Sequence, residues 1–224
     1  MSPRTKVGVL ISGRGSNMRA LIAACEAEDF PAEIVIVVSN RPEAPGLDFA
    51  AKAGLPTRVI DHKAFPSRDA FEAVLHQVLH DAHVELICNA GFMRLLTIGF
   101  VEKWRDKQLN IHPSLLPAFK GLHTHERTLK AGVKIAGCTV HFVRTEMDSG
   151  PIIAQAAVPI LPSDTPDGLA SRVLEAEHQI YPMALRLVAS GAVHVVNDLV
   201  VWTADLPKGD YEPDILISPP FANA

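Results

Sequence analysis

The chain has 224 residues, of which 48% are hydrophobic and 21% are charged, and its formal net charge at pH 7 is -4. This is the composition of an ordinary globular protein, and the length is sufficient for a stable core without disulfides or a structural metal. The acidic balance argues against nucleic acid as the main partner, because nucleic-acid-binding proteins present broad basic surfaces.

The N-terminal segment and the cysteines point to a cytoplasmic protein. Residues 1–6 run directly into an apolar segment, without the apolar stretch or the cleavage site of a signal peptide. No run of about 18 or more apolar residues occurs, so we expect no membrane partner. Cys25, Cys88 and Cys138 are odd in number, far apart and outside any CxxC motif, which predicts buried, reduced thiols.

In the first half of the chain, short apolar runs alternate with amphipathic segments. Within residues 68–82, apolar side chains recur at helical spacing, namely Phe71, Val74, Leu75, Val78 and Leu79. Strands that alternate with helices favour a mostly parallel sheet covered on both faces. We therefore predict a Rossmann-like α/β fold, with strands at 7–11, 34–38, 57–60 and 86–88 and helices at 17–27, 46–53 and 68–82.

The second half of the chain has a different pattern. Two extended segments are separated only by the polar turn at residues 144–150, and such closeness favours an antiparallel addition to the sheet. We find no linker and no internal repeat, which predicts a single domain over 1–224 with a core at about 5–190 and an irregular tail after about 206. The expected strands are 108–111, 138–143, 152–158 and one or two within 193–201, and the expected helices are 124–131 and 166–189.

The segment between the first strand and the first helix reads Ser-Gly-Arg-Gly-Ser-Asn at residues 12–17. Glycines allow backbone N–H groups to approach a ligand, and a helix N-terminus favours an anion. The dinucleotide fingerprint fails because Met18 occupies its third glycine position, and no GK[ST] sequence follows. Gly15, Ser16 and Asn17 thus suit one phosphate monoester, and the alternative is an ordinary turn with Ser16 or Asn17 as the helix N-cap.

Asn110 and His112 lie at the end of a predicted strand, the edge at which folds of this class bind ligands. Residues two apart in a strand share a face, so both side chains point the same way. An amide and a protonated imidazole can both donate to an oxyanion, and a nearby Asp148 would favour the imidazolium. By residue type alone, a structural histidine and a turn-forming aspartate remain the favoured alternatives.

Six motifs in chain order carry a resemblance to a known family. They are SGRGSN at 12–17, GFMRLL at 91–96, NIHPSLLP at 110–117, GLHTH at 121–125, TVHFV at 139–143 and DSGPII at 148–153. Over roughly residues 5–190 the chain resembles the folate-dependent formyltransferases that act on glycinamide ribonucleotide. This implies formyl transfer from 10-formyltetrahydrofolate, as co-substrate, to the amine of glycinamide ribonucleotide in de novo purine biosynthesis, without a metal.

The resemblance also implies roles for individual residues. Asn110, His112 and Asp148 match the catalytic trio, and Gly15, Ser16 and Asn17 match the loop that holds the ribonucleotide phosphate. The family's basic-aromatic-proline stretch reads Ala118-Phe119-Lys120 here, which leaves the contacts of that loop open. The residues that match the folate pocket are Arg68, Met93, Arg94, Leu95, Leu96, Asn110, Arg144, Thr145, Glu146, Met147 and Asp148.

Glu177 lies on or beside the apolar stripe of the long predicted helix. The stripe comprises Leu169, Val173, Ala176, Ile180, Met183 and Leu187. A carboxylate on that face is costly unless another group satisfies it. A salt bridge or a rim position explains the pattern equally well, but the resemblance favours a Glu177 that accepts hydrogen bonds from the ribose hydroxyls of the ribonucleotide.

Three other classes of protein share part of this pattern. A methionyl-tRNA formyltransferase is expected to carry a further C-terminal tRNA-binding domain, and a formyltetrahydrofolate hydrolase a further N-terminal regulatory domain. A nucleotide-binding sensor or oxidoreductase would use the glycine loop alone and has no use for the trio.

His123 and His125 resemble a pair of metal ligands but lack an evident third ligand. A homodimer is compatible with the sequence.

Overall fold

A computed structural model describes residues 3–203 and shows a seven-stranded sheet flanked by helices, with a separate hairpin near residue 200. The strands are β1 (Thr5–Ile11), β2 (Ala32–Ser39), β3 (Thr57–Val59), β4 (Leu86–Asn89), β5 (Gln108–His112), β6 (Ile135–Phe142), β7 (Ile152–Pro159), β8 (Val193–Val196) and β9 (Leu199–Trp202). The helices are α1 (Ser16–Cys25), α2 (Gly46–Lys52), α3 (Arg68–Asp81), α4 (Ile98–Lys103), α5 (Thr124–Lys130) and α6 (Pro166–Ala189), and His62–Ala64 forms a 3-10 turn.

The sheet has the strand order β3-β2-β1-β4-β5-β6-β7. The first five of these strands are parallel, whereas β6 and β7 are antiparallel to their neighbours. Among residues 3–203, strands β8 and β9 pair only with each other. The predicted α/β fold with an antiparallel addition is therefore confirmed. The predicted irregular tail after residue 206 lies outside the described residues.

Two hydrophobic clusters cover the two faces of the sheet. Alternate residues of β1 point to opposite clusters, with Val9 in one and Leu10 in the other. Helices α1 and α6 cover the first face, and α3 and α4 cover the second. The three cysteines are buried and free, as predicted.

Two apolar residues of the predicted helical faces lie outside the core. Val74 on α3 is 40% exposed, and Met183 on α6 is 46% exposed. In α3 the buried face is rotated towards Glu72, whose carboxylate accepts hydrogen bonds from the backbone and hydroxyl of Thr97. In α6 the buried face is rotated towards Glu177 and away from Met183. Apolar spacing predicts that a helix has an inner face, but it does not fix the rotation of the helix about its axis.

Helix α4 and the 3-10 turn were not predicted. Helix α4 is only six residues long and has Gly99 in its interior, so it lacks a periodic apolar pattern. Its signal is Thr97, whose hydroxyl accepts a hydrogen bond from Phe100 N as an N-cap does. None of the helices within residues 3–203 is both long enough and apolar enough to cross a membrane.

Candidate active site

Several of the predicted site residues follow the carboxyl ends of β1, β4 and β5. Strand order reverses between β1 and β4, and such a switch point opens a crevice for ligands in open α/β sheets. The loops that follow these two strands are joined directly. Ser12 N donates to Gly91 O over 3.1 Å, and Ser12 Oγ accepts from Met93 N over 2.8 Å.

Gly15 is the residue that opens α1. Its φ of 68° lies in the left-handed region that glycine adopts without strain, and no side chain caps the helix. The alternative in which Ser16 or Asn17 is the N-cap is therefore wrong. The N–H groups of the first helical turn lack a capping side chain, and an anion can take that place.

Asn17 and Glu177 form a buried pair across 160 residues of sequence. Asn17 Nδ2 donates to Glu177 Oε2 over 2.7 Å, and Glu177 is 6% exposed. The rim and salt-bridge alternatives for Glu177 both fail, because the carboxylate is buried and its partner is an amide. Asn17 Oδ1 is buried without a hydrogen-bond partner among the described residues. Buried polar atoms are normally paired, so the unpaired oxygen is an unusual feature of this position.

Burial raises the pKa of Glu177, and the hydrogen bond from Asn17 opposes this effect. The folded protein therefore holds this proton more tightly than the unfolded chain does. Consequently the contribution of Glu177 to folding stability is greatest at low pH and declines as pH rises above the ordinary glutamate pKa of about 4.3.

Glu177→Gln should remove this dependence, because glutamine keeps the shape and an acceptor oxygen without a charge. We expect the variant to gain stability relative to wild type as pH rises from about 4.5 to 7. Chemical denaturation at three pH values measures the difference. Glu175→Gln, an exposed position on the same helix, is the matched control. A constant difference between the two proteins across this range would contradict the assigned burial effect.

The structure brings Asn110, His112 and Asp148 together. Asn110 and His112 are on one face at the end of β5, and His112 Nδ1 lies 3.4 Å from Asp148 Oδ2. Asp148 has a φ of 53°, a conformation that aspartate tolerates better than most residues. Its Oδ2 also accepts a hydrogen bond from Gly121 N over 2.8 Å.

His112 has an acceptor at each ring nitrogen. Nδ1 faces Asp148 Oδ2, and Nε2 lies 3.1 Å from Phe119 O. Only the protonated imidazole can donate from both nitrogens, so the geometry suits an imidazolium. The Ala118-Phe119-Lys120 segment contacts His112 through a backbone carbonyl. Side chains that depart from the family pattern in this segment therefore leave the contact unchanged.

His141 is a site residue that the sequence reasoning missed. It is 2% exposed, and its Nε2 lies 3.2 Å from Asn110 Nδ2 and 4.0 Å from Asp148 Oδ1. Burial lowers the pKa of His141, although Phe142 O and Asp148 oppose the shift. The neutral ring can donate from Nδ1 to Phe142 O, 2.9 Å away, and accept from Asn110 at Nε2. One amide hydrogen of Asn110 then remains free for a substrate.

The residues predicted for the folate pocket after β4 differ in exposure. Met93 and Leu95 are 60% and 62% exposed, whereas Leu96 packs against the cluster beneath α3. The buried Nε of Arg94 has no hydrogen-bond partner within the described part of the chain. Arg68 is exposed on α3, one turn before Glu72, whose carboxylate contacts Thr97. Arg68 therefore lies on the face of α3 that is directed towards the segment after β4.

The remaining predicted folate residues belong to the loop between β6 and β7. Thr145, Glu146 and Met147 are exposed. The Arg144 side chain is 9% exposed and is held by two carboxylates of the protein, so its guanidinium does not point freely into the crevice. Glu146 forms an ion pair of 2.9 Å with Lys120, which links this loop to the segment over His112.

Residues 3–203 contain no group of three or more His, Cys, Asp or Glu side chains that could hold a metal ion. His123 is paired with the carboxylate of Glu126 at 3.6 Å. Burial is the largest cause that lowers the pKa of His125, and His112 adds to it.

A family model described as formyl transferase matches residues 5–185. Phosphoribosylglycinamide formyltransferase of Escherichia coli (strain K12) is 42% identical over 208 residues, which are 92% of this chain and 98% of that protein. The crystal structure of glycinamide ribonucleotide transformylase 1 from Symbiobacterium toebii superposes with a TM-score of 0.87 at 44% identity, covering 90% of this chain and 95% of that one.

A much longer protein is also similar. The trifunctional purine biosynthetic protein adenosine-3 of Gallus gallus is 56% identical over 192 residues, or 86% of this chain. The chain spans only 19% of the length of that relative. The likeness therefore concerns one part of a multifunctional protein.

Proposed function

The chain belongs to the formyl transferase family, and we propose that it transfers the formyl group of 10-formyltetrahydrofolate to the amine of glycinamide ribonucleotide. The products are formylglycinamide ribonucleotide and tetrahydrofolate, and the reaction belongs to de novo purine biosynthesis. One observation carries the proposal. The trio of Asn110, His112 and Asp148 lies at the same sheet edge as the Asn17–Glu177 pair, so one crevice offers donors for an oxyanion and groups for a ribonucleotide.

The proposed reaction is direct transfer. The amine nitrogen attacks the formyl carbon, a tetrahedral oxyanion forms, and the bond from that carbon to N10 of the folate then breaks. The free amide hydrogen of Asn110 and the Nε2–H of His112 donate to the oxyanion, which competes with Phe119 O for the histidine proton. Asp148 accepts from Nδ1–H of His112 and so orients the ring, and a water held by Asp148 moves the amine proton to the leaving N10.

The ribonucleotide is proposed to bind along the start of α1. Its phosphate accepts from the backbone N–H groups at Gly15, Ser16 and Asn17, where the helix dipole also favours an anion. The carboxylate of Glu177 accepts from the ribose hydroxyls. Because Asn17 is hydrogen-bonded to Glu177, the proposed phosphate contact and the proposed ribose contact are coupled before the ligand binds.

The folate is proposed to lie between the segment after β4 and the loop between β6 and β7. Met93 and Leu95 offer exposed apolar surface, and Arg94 offers an unpaired donor. Arg68 would meet the anionic end of the folate. At Arg144 the contact would come from the backbone, because its guanidinium already has two carboxylate partners.

An assay for formyl transfer tests the proposal. Purified protein is mixed with 10-formyltetrahydrofolate, with and without glycinamide ribonucleotide, and both tetrahydrofolate and formate are quantified. We expect tetrahydrofolate only when the ribonucleotide is present. Formate released without an acceptor would instead identify a hydrolase, and transfer to methionyl-tRNA in a parallel reaction would identify a tRNA formyltransferase.

Asn17→Asp should impair binding of the ribonucleotide selectively. The new carboxylate meets both the substrate phosphate and Glu177, and it can no longer donate as the amide does. We expect KM for glycinamide ribonucleotide to rise about tenfold or more, equivalent to about 1.4 kcal/mol, with little change in KM for the folate. Steady-state kinetics with each substrate varied measures this. Asn17→Ala, which removes the donor without adding charge, should have a smaller effect, and equal increases in both KM values would contradict the assignment.

We further propose that the described residues form one domain that works in the cytoplasm. Helix α6 packs in the same hydrophobic cluster as β1 and α1, so the two ends of the region share a core. Both proposed substrates are small and soluble, and the three free, buried cysteines suit a reducing compartment.

A further inference from the structure

The loop that joins β6 to β7 carries Asp148 and is held at its two ends, where Phe142 N also donates to Pro151 O, while within it Glu146 pairs with Lys120 and Asp148 accepts from Gly121 N. At its start, Val143 N donates to Gln108 O over 2.8 Å. Between these ends, Thr145, Glu146 and Met147 are exposed. The position of Asp148 relative to His112 therefore depends on the base of the loop as well as on the Gly121 N–H that donates to Asp148.

Arg144 holds both ends of this loop. Its Nη1 donates to Val143 O over 3.1 Å. Its stem packs against the other end, since a Cβ built at Gly150 would lie 3.2 Å from Arg144 Cγ. The side chain is 9% exposed, so its conformation is constrained by the surrounding protein.

Two carboxylates hold the guanidinium of Arg144. Nη2 lies 2.6 Å from Asp106 Oδ1, and Nε donates to Asp198 Oδ1 over 2.9 Å. Isolated surface ion pairs contribute little to the free energy of unfolding, but a shielded arginine that binds two well-placed carboxylates contributes more. Arg105 adds a further contact of 3.2 Å to Asp198.

Asp198 lies in the turn between β8 and β9. Asn197 and Asp198 have φ values of 51° and 58°, and β8 and β9 pair up to Val196 and Leu199 on either side. Two successive left-handed residues are the signature of a tight type I′ hairpin turn, which fixes the direction of the Asp198 side chain. This hairpin lies beyond residues 5–185, the region matched by the family model.

We propose that Asp198 is a positioning residue, through which the turn of the β8–β9 hairpin holds Arg144 and thereby the loop that presents Asp148 to His112. This inference rests on the proposed function for its catalytic consequence. The separation of 3.4 Å between His112 Nδ1 and Asp148 Oδ2 is already at the long end of a hydrogen bond. A small shift of the loop therefore breaks the contact.

The test replaces Asp198 with glycine, which suits the left-handed turn and removes the carboxylate together with its contacts to Arg144 and Arg105. We expect faster amide hydrogen exchange in residues 143–150, kcat lowered by about tenfold, and an unchanged KM for glycinamide ribonucleotide. Asp198→Asn keeps an oxygen that accepts from Arg144 and should recover part of the loss. Asp29→Gly, which removes an exposed carboxylate 3.0 Å from Arg186, should change none of these quantities.

A double variant separates positioning from general destabilisation. If Asp198 acts through Arg144, the double variant that combines Asp198→Gly with Arg144→Gln should have a kcat no lower than that of the Arg144→Gln single variant. Unchanged exchange in residues 143–150, or a lower melting temperature with an unchanged kcat, overturns the proposal. If the wild-type protein transfers no formyl group, the proposed function fails, whereas hydrogen exchange still decides whether the hairpin holds the loop.

Discussion

Replacing His112 with alanine is expected to lower kcat by about a hundred- to a thousandfold while the protein stays folded. The substitution removes the donor aimed at the oxyanion and leaves Asp148 without its histidine partner 3.4 Å away. His112 is 6% exposed at the end of β5, so alanine leaves a small cavity there, and the fold of the variant is checked alongside its activity.

Asn110→Ala should have an effect of the same order, because it removes the second donor to the same oxygen atom. It also removes the partner of His141 Nε2. Since both groups act on one oxyanion, the double variant should lose less than the product of the two single losses.

Single-turnover and steady-state kinetics measure these losses, with circular dichroism to verify the fold. His80→Ala is the matched control, because the His80 side chain is 72% exposed on α3, where it lies near Asp81 and His76 and away from the trio. A His112→Ala or Asn110→Ala enzyme with nearly normal kcat would remove that residue from the proposed mechanism.

Replacing Gly150 with alanine is expected to lower both stability and activity. A Cβ at this position would overlap with Phe142 O and its carbonyl carbon, which are backbone atoms that a rotamer change cannot move aside. The loop between β6 and β7 must therefore shift at its base. We expect a loss of about 3 kcal/mol in the free energy of unfolding, as for severe overpacking, and a fall in kcat of about a hundredfold as Asp148 moves.

Gly99→Ala is the control for a general effect of replacing glycine. Gly99 is exposed within α4, and the nearest atom to an added Cβ is Thr97 Oγ1 at 3.9 Å. Alanine should stabilise this helix by about 0.5–1 kcal/mol and leave kcat unchanged. Equilibrium denaturation and the transfer assay test both variants together. A Gly150→Ala protein as stable and active as Gly99→Ala would mean that the loop base is loosely packed.

Local sequence patterns determined the order and type of nearly all the elements. The alternation of apolar runs with amphipathic segments specifies parallel strands and covering helices, because side-chain burial follows the period of each element. Local sequence order also predicts that a strand ends at Asn110 and His112 and that a glycine loop precedes Asn17. Their common location at one sheet edge follows because all parallel strands end on the same side.

The tertiary structure alone decided which side chains meet. His141 faces Asn110 because β6 pairs with β5 in one particular register, and no local pattern specifies the register of two strands about 30 residues apart. Asn17 meets Glu177 because α6 turns that carboxylate inward, a rotation that the spacing of its apolar residues predicted incorrectly at Met183. Likewise, Arg144 is held by carboxylates from two other turns. Contacts between distant segments depend on packing across the whole fold, whereas sequence periodicity describes one segment at a time.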